Sequence, residues 1–481
     1  MTSLPRSWLP LLMTLACGCT TDPAAPAGTD SLAAAVTPRG ARLLAMDMGA
    51  GPGETRAQAV AKARAAGITT AVLNYDWSEL EPTPFAYQNT RLLADNIFYS
   101  TSPHDVSVVL NLRPVAGPCR VVPSDLVGTA WSDPVMITRF SYLLLWIHGH
   151  LPGVTVKLVS VGTEVDSHLA PADYAAYKVF FDAARANVKN LWGSQTPVGT
   201  TATWDTLTTP GPKQTALLDL NEHADHVFTT YYAMNLDLTA KDPFWGPIND
   251  TYAAVAAVDS SSKTAGKVID FIETGYASAP ALGSSEAHQQ AFVSAMFGIW
   301  DAWMPRLGAL VFTWQNDLSE QSAELVAIGG WGGGGCQAPA GAPPAAPATT
   351  TVTARGATGA RTWSYYVVAV GPNGNSLPGS TAATASGAAA LSAASYNRIT
   401  WSAVPGATSY KVMRLASGGA PATTGLLATT AATTLDDTGL ASSTFLFQEY
   451  IRTLGYRTHA QPVVDKAGFV QLGLEAHARG W

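Results

Sequence analysis

The chain has 481 residues, 47% of them apolar and 13% charged, with a formal net charge of −7. That length exceeds one ordinary domain, and that apolar share excludes a chain disordered throughout. A net negative charge without a basic stripe argues against a nucleic-acid binder, and the sequence has no His-x-x-x-His or Cys-x-x-Cys pair to suggest a metal site.

The N-terminus reads as a targeting segment. Arg6 supplies a positive charge, and Trp8 to Ala16 form an apolar stretch too short for a typical membrane span. Leu15-Ala16-Cys17-Gly18-Cys19-Thr20 follows. Small residues before a cysteine resemble a bacterial lipoprotein signal, which implies lipidation of Cys19, with Cys17 as the rival acceptor and a plain secretory signal as the other reading. Residues 1–19 are then the signal and 20–40, rich in Ala, Pro, Thr and Gly, a flexible tether. The expected address is outside the cytoplasm, anchored at the cell envelope or secreted, with membrane contact only through the lipid. Cys119 and Cys336 remain after processing. Both fall at the same end of the first domain, and an exported protein can oxidise them to a disulfide.

Across residues 41–330 short apolar strands alternate with amphipathic helices. The strands are expected at Leu43–Asp47, Thr69–Tyr75, Val106–Leu112, Val156–Val161, Pro197–Thr201, His226–Tyr231, Val268–Ile272 and Ala309–Thr313. The helices are expected at Arg56–Ala66, Tyr87–Tyr99, Pro134–His148, Pro171–Leu191, Pro212–Leu220, Asn249–Ala257 and Glu286–Met304, the last starting behind Ser285. Continuous apolar strands separated by helices indicate a parallel sheet covered by helices, and eight is the count of a (β/α)8 TIM barrel. A doubly wound open sheet is the alternative, but Met48-Gly49-Ala50-Gly51-Pro52-Gly53 lacks its dinucleotide-binding spacing.

No helix follows the eighth strand directly. Residues 331–351 form a Gly/Ala/Pro linker, and in 352–442 the pattern becomes all-β, with period-two strands such as Asn397–Trp401 and Ser409–Arg414 and turns at Gly371–Asn375 and Pro405-Gly406. The segments ITWSAVPGATSYKVMR, TLDDTGL and YYVVAVGPNGNSLPGS resemble a fibronectin type III module whose last half comes first, implying a permuted unit or two partial ones. In the tail, 443–481, Phe447, Tyr450, Ile451 and Leu454 share one helical face ended by Gly455. This predicts the missing barrel helix, with the sandwich inserted before it.

Two stretches share one grammar, an apolar strand running into a glutamate: Val156–Thr163 into Glu164, and Val268–Ile272 into Glu273. In a β/α barrel the active site lies at the C-terminal strand ends. The segments SVGTEVD and FIETGYAS at strands four and seven resemble the TIM-barrel clan of retaining glycoside hydrolases, over about residues 41–330. The resemblance implies Glu164 as acid/base and Glu273 as nucleophile. It also implies Trp314 as a sugar platform and one of Tyr231 and Tyr232 as the holder of the nucleophile; in an extended strand these two point opposite ways. Thr163 stands where the clan has Asn. Its hydroxyl reaches less far toward a sugar.

The chemistry needs two carboxyls because cleavage passes through an oxocarbenium-like state: one group protonates the leaving oxygen while the other attacks or stabilises the anomeric carbon. Asp47, Arg113, Trp77 and Trp204 at other strand ends complete the candidate cleft, with Asp76, Glu79, Glu81, Asp205, Asn316 and Asp317 beyond them. His168 and His226 read as structural or solvated. No Gly-x-Ser-x-Gly elbow is present. The expected function is hydrolysis of a β-linked poly- or oligosaccharide with retention and no cofactor. The alternative is a surface carbohydrate-binding lipoprotein on a barrel that has lost turnover, with Thr163 as the sign.

Overall fold

The computed structural model describes residues 36–481 except 101–105, 236–237, 320–321, 324–343, 349, 372–373, 377, 416–424, 442 and 445–449. The expected signal, Cys17, Cys19, Cys336, most of the tether and linker, and Phe447 lie outside the described residues.

Eight parallel strands form the ring of the first sheet, with the short Cys119–Arg120 added antiparallel at the end of the third: β1 (Leu43–Met46), β2 (Thr70–Asp76), β3 (Ser107–Ala116), β4 (Val156–Thr163), β5 in two halves (Val198–Gly199 and Thr201–Thr203), β6 (Val227–Tyr232), β7 (Ile269–Gly275) and β8 (Leu307–Phe312). Neighbours in sequence pair in parallel, and β1 also pairs with β8. Val198–Gly199 bonds to β4 and Thr201–Thr203 to β6, so the sheet is a nearly closed barrel whose seam is Thr200. A ring with β1 between β2 and β8 is incompatible with the doubly wound alternative.

Strand alternation sorts the side chains. Ala45, Val72, Val109, Leu158, Phe228, Ile272, Ala309 and Val311 form one apolar cluster inside the barrel. The residues between them, such as Leu44, Leu73, Val108, Val159, Val227 and Leu310, join the cluster shared with the helices. Gly199 makes room for the bulkiest filler: a Cβ there would lie 2.7 Å from the Phe228 ring. Each fully buried Leu, Ile, Val or Phe contributes roughly 1.5–3 kcal/mol.

The covering helices are α1 (Arg56–Ala65), α2 (Thr90–Ser100), α3 (Pro134–His150), α4 (Tyr174–Trp192), α5 (Pro212–Leu220), α6 (Trp245–Asp259), α7 (Glu286–Ala302) and α8 (Ala467–Ala478). Thr55 and Gln58 form a capping box at α1, and Ser285 accepts from the His288 amide at α7.

The tail returns to helix as expected, and residues 450–452 are helical, but the expected placement of the barrel's eighth helix needs a correction: the helix that packs on α7 is α8, twelve residues beyond Gly455. Gln290 on α7 donates to Gln471, Gly473 lies against Ala66 at the end of α1, and Arg479 pairs with Asp301 at 2.7 Å. Trp481 stacks on Trp300 with centroids 5.1 Å apart.

Between β8 and α8 in sequence lie two antiparallel sheets. One contains β9 (Thr350–Arg355), β12 (Tyr396–Trp401) and β15 (Thr434–Asp437); the other contains β10 (Arg361–Gly371), β11 (Ala382–Gly387), β13 (Ser409–Leu415) and β14 (Gly425–Thr430). Trp363, Tyr365, Val367, Ile399, Trp401, Tyr410 and Val412 share one core. Within it Asp437 accepts from the Tyr365 hydroxyl at 2.8 Å and pairs with Arg414 at 3.0 Å, so the buried carboxylate is partnered.

Candidate active site

Near the C-terminal strand ends the inward positions turn polar. Ala45 gives way to Asp47, Val72 to Asn74 and Asp76, Val109 to Asn111 and Arg113, Leu158 to Ser160 and Glu164, Phe228 to Thr230 and Tyr232, and Val311 to Thr313. The same period that fills the barrel therefore builds a polar floor at its mouth.

Two backbone devices aim the glutamates. Gly162 (φ +87°) and Glu164 (φ 49°) are both left-handed, and a Cβ on Gly162 would lie 2.5 Å from the Tyr177 hydroxyl, so the turn needs glycine. In β7 the pairing with β6 jumps from Thr229–Phe271 to Thr230–Glu273. This bulge lets Ile272 and Glu273, neighbours in sequence, both line one cavity. Glu164 and Trp314 (φ 49°) are two of only four non-glycine residues with positive φ among the described residues, and such backbone concentrates at functional sites.

Glu164 is 4% exposed, and its Oε1 accepts from the Thr230 hydroxyl at 2.8 Å. Burial, then the charge of Glu273, pushes its carboxyl well above the ordinary range; the Thr230 bond opposes this, and Asp166 and Asp205 add to it. Glu273 accepts from the Tyr232 hydroxyl at 3.0 Å. Burial raises its carboxyl too, the Tyr232 bond and the Arg113 charge pull it back, and Asp47 pushes it up. The Tyr232 hydroxyl also lies 3.2 Å from Thr313 Oγ1.

A cavity of about 250 Å³ lies at this mouth. Asp47, Asn74, Arg113, Glu273, Thr313 and Tyr232 supply its polar lining, and Trp314, Tyr450, Ile451 and Leu454 a mostly apolar one. Arg113 also pairs with Asp76 at 2.6 Å. Asn111 donates to Asn74 at 2.8 Å. Burial pushes Asp47 up to about 6 against the charges of Arg91, Arg113 and Arg56.

Several expected site residues lie elsewhere. Trp77 is 1% exposed, donates to Glu81 at 2.7 Å and packs edge-on to Phe140: it is core. Tyr231, also 1% exposed, faces the helices, donates to Asp250 and packs on Phe271, so Tyr232 is the tyrosine of the cleft. Trp204 donates to the Asp250 carbonyl under Lys241 and does not line the cavity. Glu81 is buried against Arg139 and Glu79 pairs with Arg91. Thr163 is buried at 6% exposure with an unpartnered hydroxyl, outside the cavity lining. Asn316 and Asp317 tie loops together rather than face the cavity. His168 lies 3.0 Å from the Pro118 carbonyl and His226 2.7 Å from Asp270, both structural contacts. Cys119 is held in a disulfide. Among the described residues no group of His, Cys, Asp or Glu could hold a metal.

Sequence reasoning missed Asn74, Thr230 and the wall at 450–454. The first two had a signal, a polar residue at an inward strand position. Tyr450 lies edge-on to Tyr232 at 6.0 Å, and Leu454 lies against Gly275. Burial, then the charges of Glu164, Glu273 and Asp205, holds the Tyr450 hydroxyl protonated far above neutral pH.

No protein-family model matches the chain, and no curated protein matches it. Among solved structures it is similar to a GH5_18 variant from Bifidobacterium longum subsp. longum in complex with Manb1-4GlcNAc, at 12% identity and TM-score 0.44, over 56% of this chain and 65% of that one. It is also similar to an exo-beta-1,4-mannosidase from an Opitutaceae bacterium, at 14% identity and TM-score 0.43, over 58% and 53%. A third is GH5_18 from Streptomyces cattleya in complex with GlcNAc, at 11% identity and TM-score 0.43, over 58% and 72%. The chain thus spans less than two thirds of the first two.

Proposed function

We propose that the chain is a glycoside hydrolase that cleaves β-linked sugars with retention, Glu273 attacking the anomeric carbon and Glu164 protonating the leaving oxygen. The observation that carries this reading is the pair of carboxyls at the ends of β4 and β7 in unlike surroundings. Burial raises both carboxyls; the charge of Glu273 drives Glu164 further toward its protonated form, whereas the Tyr232 bond and the Arg113 charge draw Glu273 back toward its anion. In the first half-reaction the C1–O bond breaks, the proton of Glu164 goes to the departing oxygen, and Glu273 forms a glycosyl ester. In the second, Glu164 takes a proton from water as it displaces the ester, and both carboxyls return to their starting states.

The Cys119 disulfide and the lipoprotein-like N-terminus support an address outside the reducing cytoplasm, with Cys336 as the proposed partner and Cys19 as the lipid acceptor. The sandwich, read as a rearranged fibronectin type III-like module, is a spacer or brings the barrel to a polymer.

A second reading has one specific observation in its favour. Glu164 does not line the cavity that Glu273 lines, and Thr163 replaces the clan's Asn. A sugar-binding barrel without turnover has this appearance. The test is a screen of residues 20–481 on β-linked polysaccharides, oligosaccharides and aryl β-glycosides, beside Glu164→Gln and Glu273→Gln. Turnover lost by about 100-fold or more in both variants is expected. Sugar binding without turnover, equal in all three proteins, overturns the hydrolase in favour of the binder.

A further inference from the structure

The cavity has a wall that the barrel strands do not supply. Tyr450, Ile451 and Leu454 come from the chain that follows the sandwich, and they face the polar side formed by Asp47, Asn74 and Arg113. This wall is pinned on three sides. The Ser278 amide, after β7, donates to the Thr453 carbonyl at 3.1 Å, and the Leu318 amide, after β8, donates to the Arg452 carbonyl at 3.1 Å. Arg457 pairs with Glu54, before α1, at 2.7 Å and with Asp465 at 2.9 Å. Beneath these, the buried ammonium of Lys466 bonds Asp317 at 2.6 Å, Ser278 at 2.9 Å and the Gly455 carbonyl at 2.8 Å. Gly455 itself is pressed against the backbone of Asn316 and Asp317, where no side chain fits.

The lining therefore comes from the ends of β1, β2, β3, β6, β7 and β8 and from this added segment, which stands beside Glu273 and Trp314. The cavity's volume, about 250 Å³, lies below the roughly 300–1,000 Å³ of pockets that take drug-sized molecules. One face offers carboxylate, amide and guanidinium groups to hydroxyls; the other offers the Trp314 and Tyr450 rings and two aliphatic side chains to the C–H face of a ring. That is the chemistry of a single pyranose.

We propose that the segment 450–454 makes this site end-specific: the cavity takes one terminal glycosyl unit of a β-linked oligosaccharide, and Tyr450 is a specificity-determining residue that stops the chain from continuing past it. The inference rests on the hydrolase reading above and deepens it. Hydrolysis then removes one monosaccharide at a time from a chain end, and internal bonds of a polymer cannot reach Glu273.

The test uses the full chain with gluco-, manno-, xylo- and galacto-oligosaccharides of two to six β-linked units, fluorescently labelled at the reducing end, with products separated by length at early times. A ladder shortening by single units, with release of monosaccharide and no drop in polysaccharide viscosity, is expected. Tyr450→Ala opens the wall, so internal fragments appear and monosaccharide release falls about tenfold or more, while Tyr450→Phe keeps the ladder. Thermal melts confirm that both variants fold, and Leu454→Ala, at the edge of the wall, gives a second opening should Tyr450→Ala melt early. Internal fragments from the wild type, or a product pattern unmoved in both opened variants, overturn the inference while the loss of turnover in Glu273→Gln leaves the hydrolase standing. Absence of turnover on every ladder, with no binding of these oligosaccharides by calorimetry, overturns both.

Discussion

The hydroxyl of Thr230 donates to Oε1 of Glu164 from a strand position directly opposite Glu273 in the β6–β7 ladder. One side chain thus reads the charge state of the proposed proton donor from a position set by the strand of the proposed nucleophile. A bond donated to a carboxylate favours its ionised form, so Thr230 restrains a carboxyl that everything else around it pushes up.

Thr230→Val keeps the shape and removes that bond, so the Glu164 carboxyl moves further up. In the proposed mechanism Glu164 acts protonated in the first step, so the alkaline limb of the kcat/KM profile on an aryl β-glycoside is expected to move to higher pH. An alkaline limb that stays put, or moves down, removes Glu164 from the role of acid.

Burial pushes Asp47 from the ordinary 3.8 up to about 6, so the folded chain holds this proton more tightly. Its stabilising contribution is complete below 3.8 and is lost as pH rises through about 6. Asp47→Asn is neutral at every pH and is expected to unfold at higher urea than wild type at pH 7, by at most about 3 kcal/mol, with the gap closing toward pH 4. A gap independent of pH contradicts the assignment.

Lys466 and Asp317 are a buried pair, with burial pushing Asp317 up to about 6 and Lys466 down. Lys466→Met leaves a carboxylate and two carbonyls without their donor, at a cost of about 3–5 kcal/mol in urea unfolding. Adding Asp317→Asn restores part of the loss. Equal stability of the single and double variants would mean that the ion pair is not what holds the segment.

The barrel was legible because buried parallel strands are continuous apolar runs, and all eight expected strands coincide with observed ones to within a few residues. The strand ends were less so. β3 runs on to Ala116, which puts Arg113 inside a strand, and β7 contains Glu273 because of a bulge that period two cannot announce. The tail's return to helix was legible, but the segment assigned to the barrel's last helix lay too early in the chain, for a physical reason. Tyr450, Ile451 and Leu454 carry a helical apolar period, but the surface they cover is a cavity wall, and the helix that packs on α7 starts at Ala467. Trp77 shows the converse: a tryptophan past a strand end satisfies its ring nitrogen with Glu81 and belongs to the core.

The order of the elements has a consequence for synthesis. The barrel's last helix and the cavity wall are encoded only after the two antiparallel sheets, so a chain growing from its N-terminus holds all eight barrel strands and seven of the eight covering helices while those sheets are being made. At roughly 5–20 residues per second this interval lasts for seconds. The cavity therefore takes its shape only once the segment 450–454 has been made, and a chain released from the ribosome before that point carries both glutamates yet lacks the wall beside Glu273.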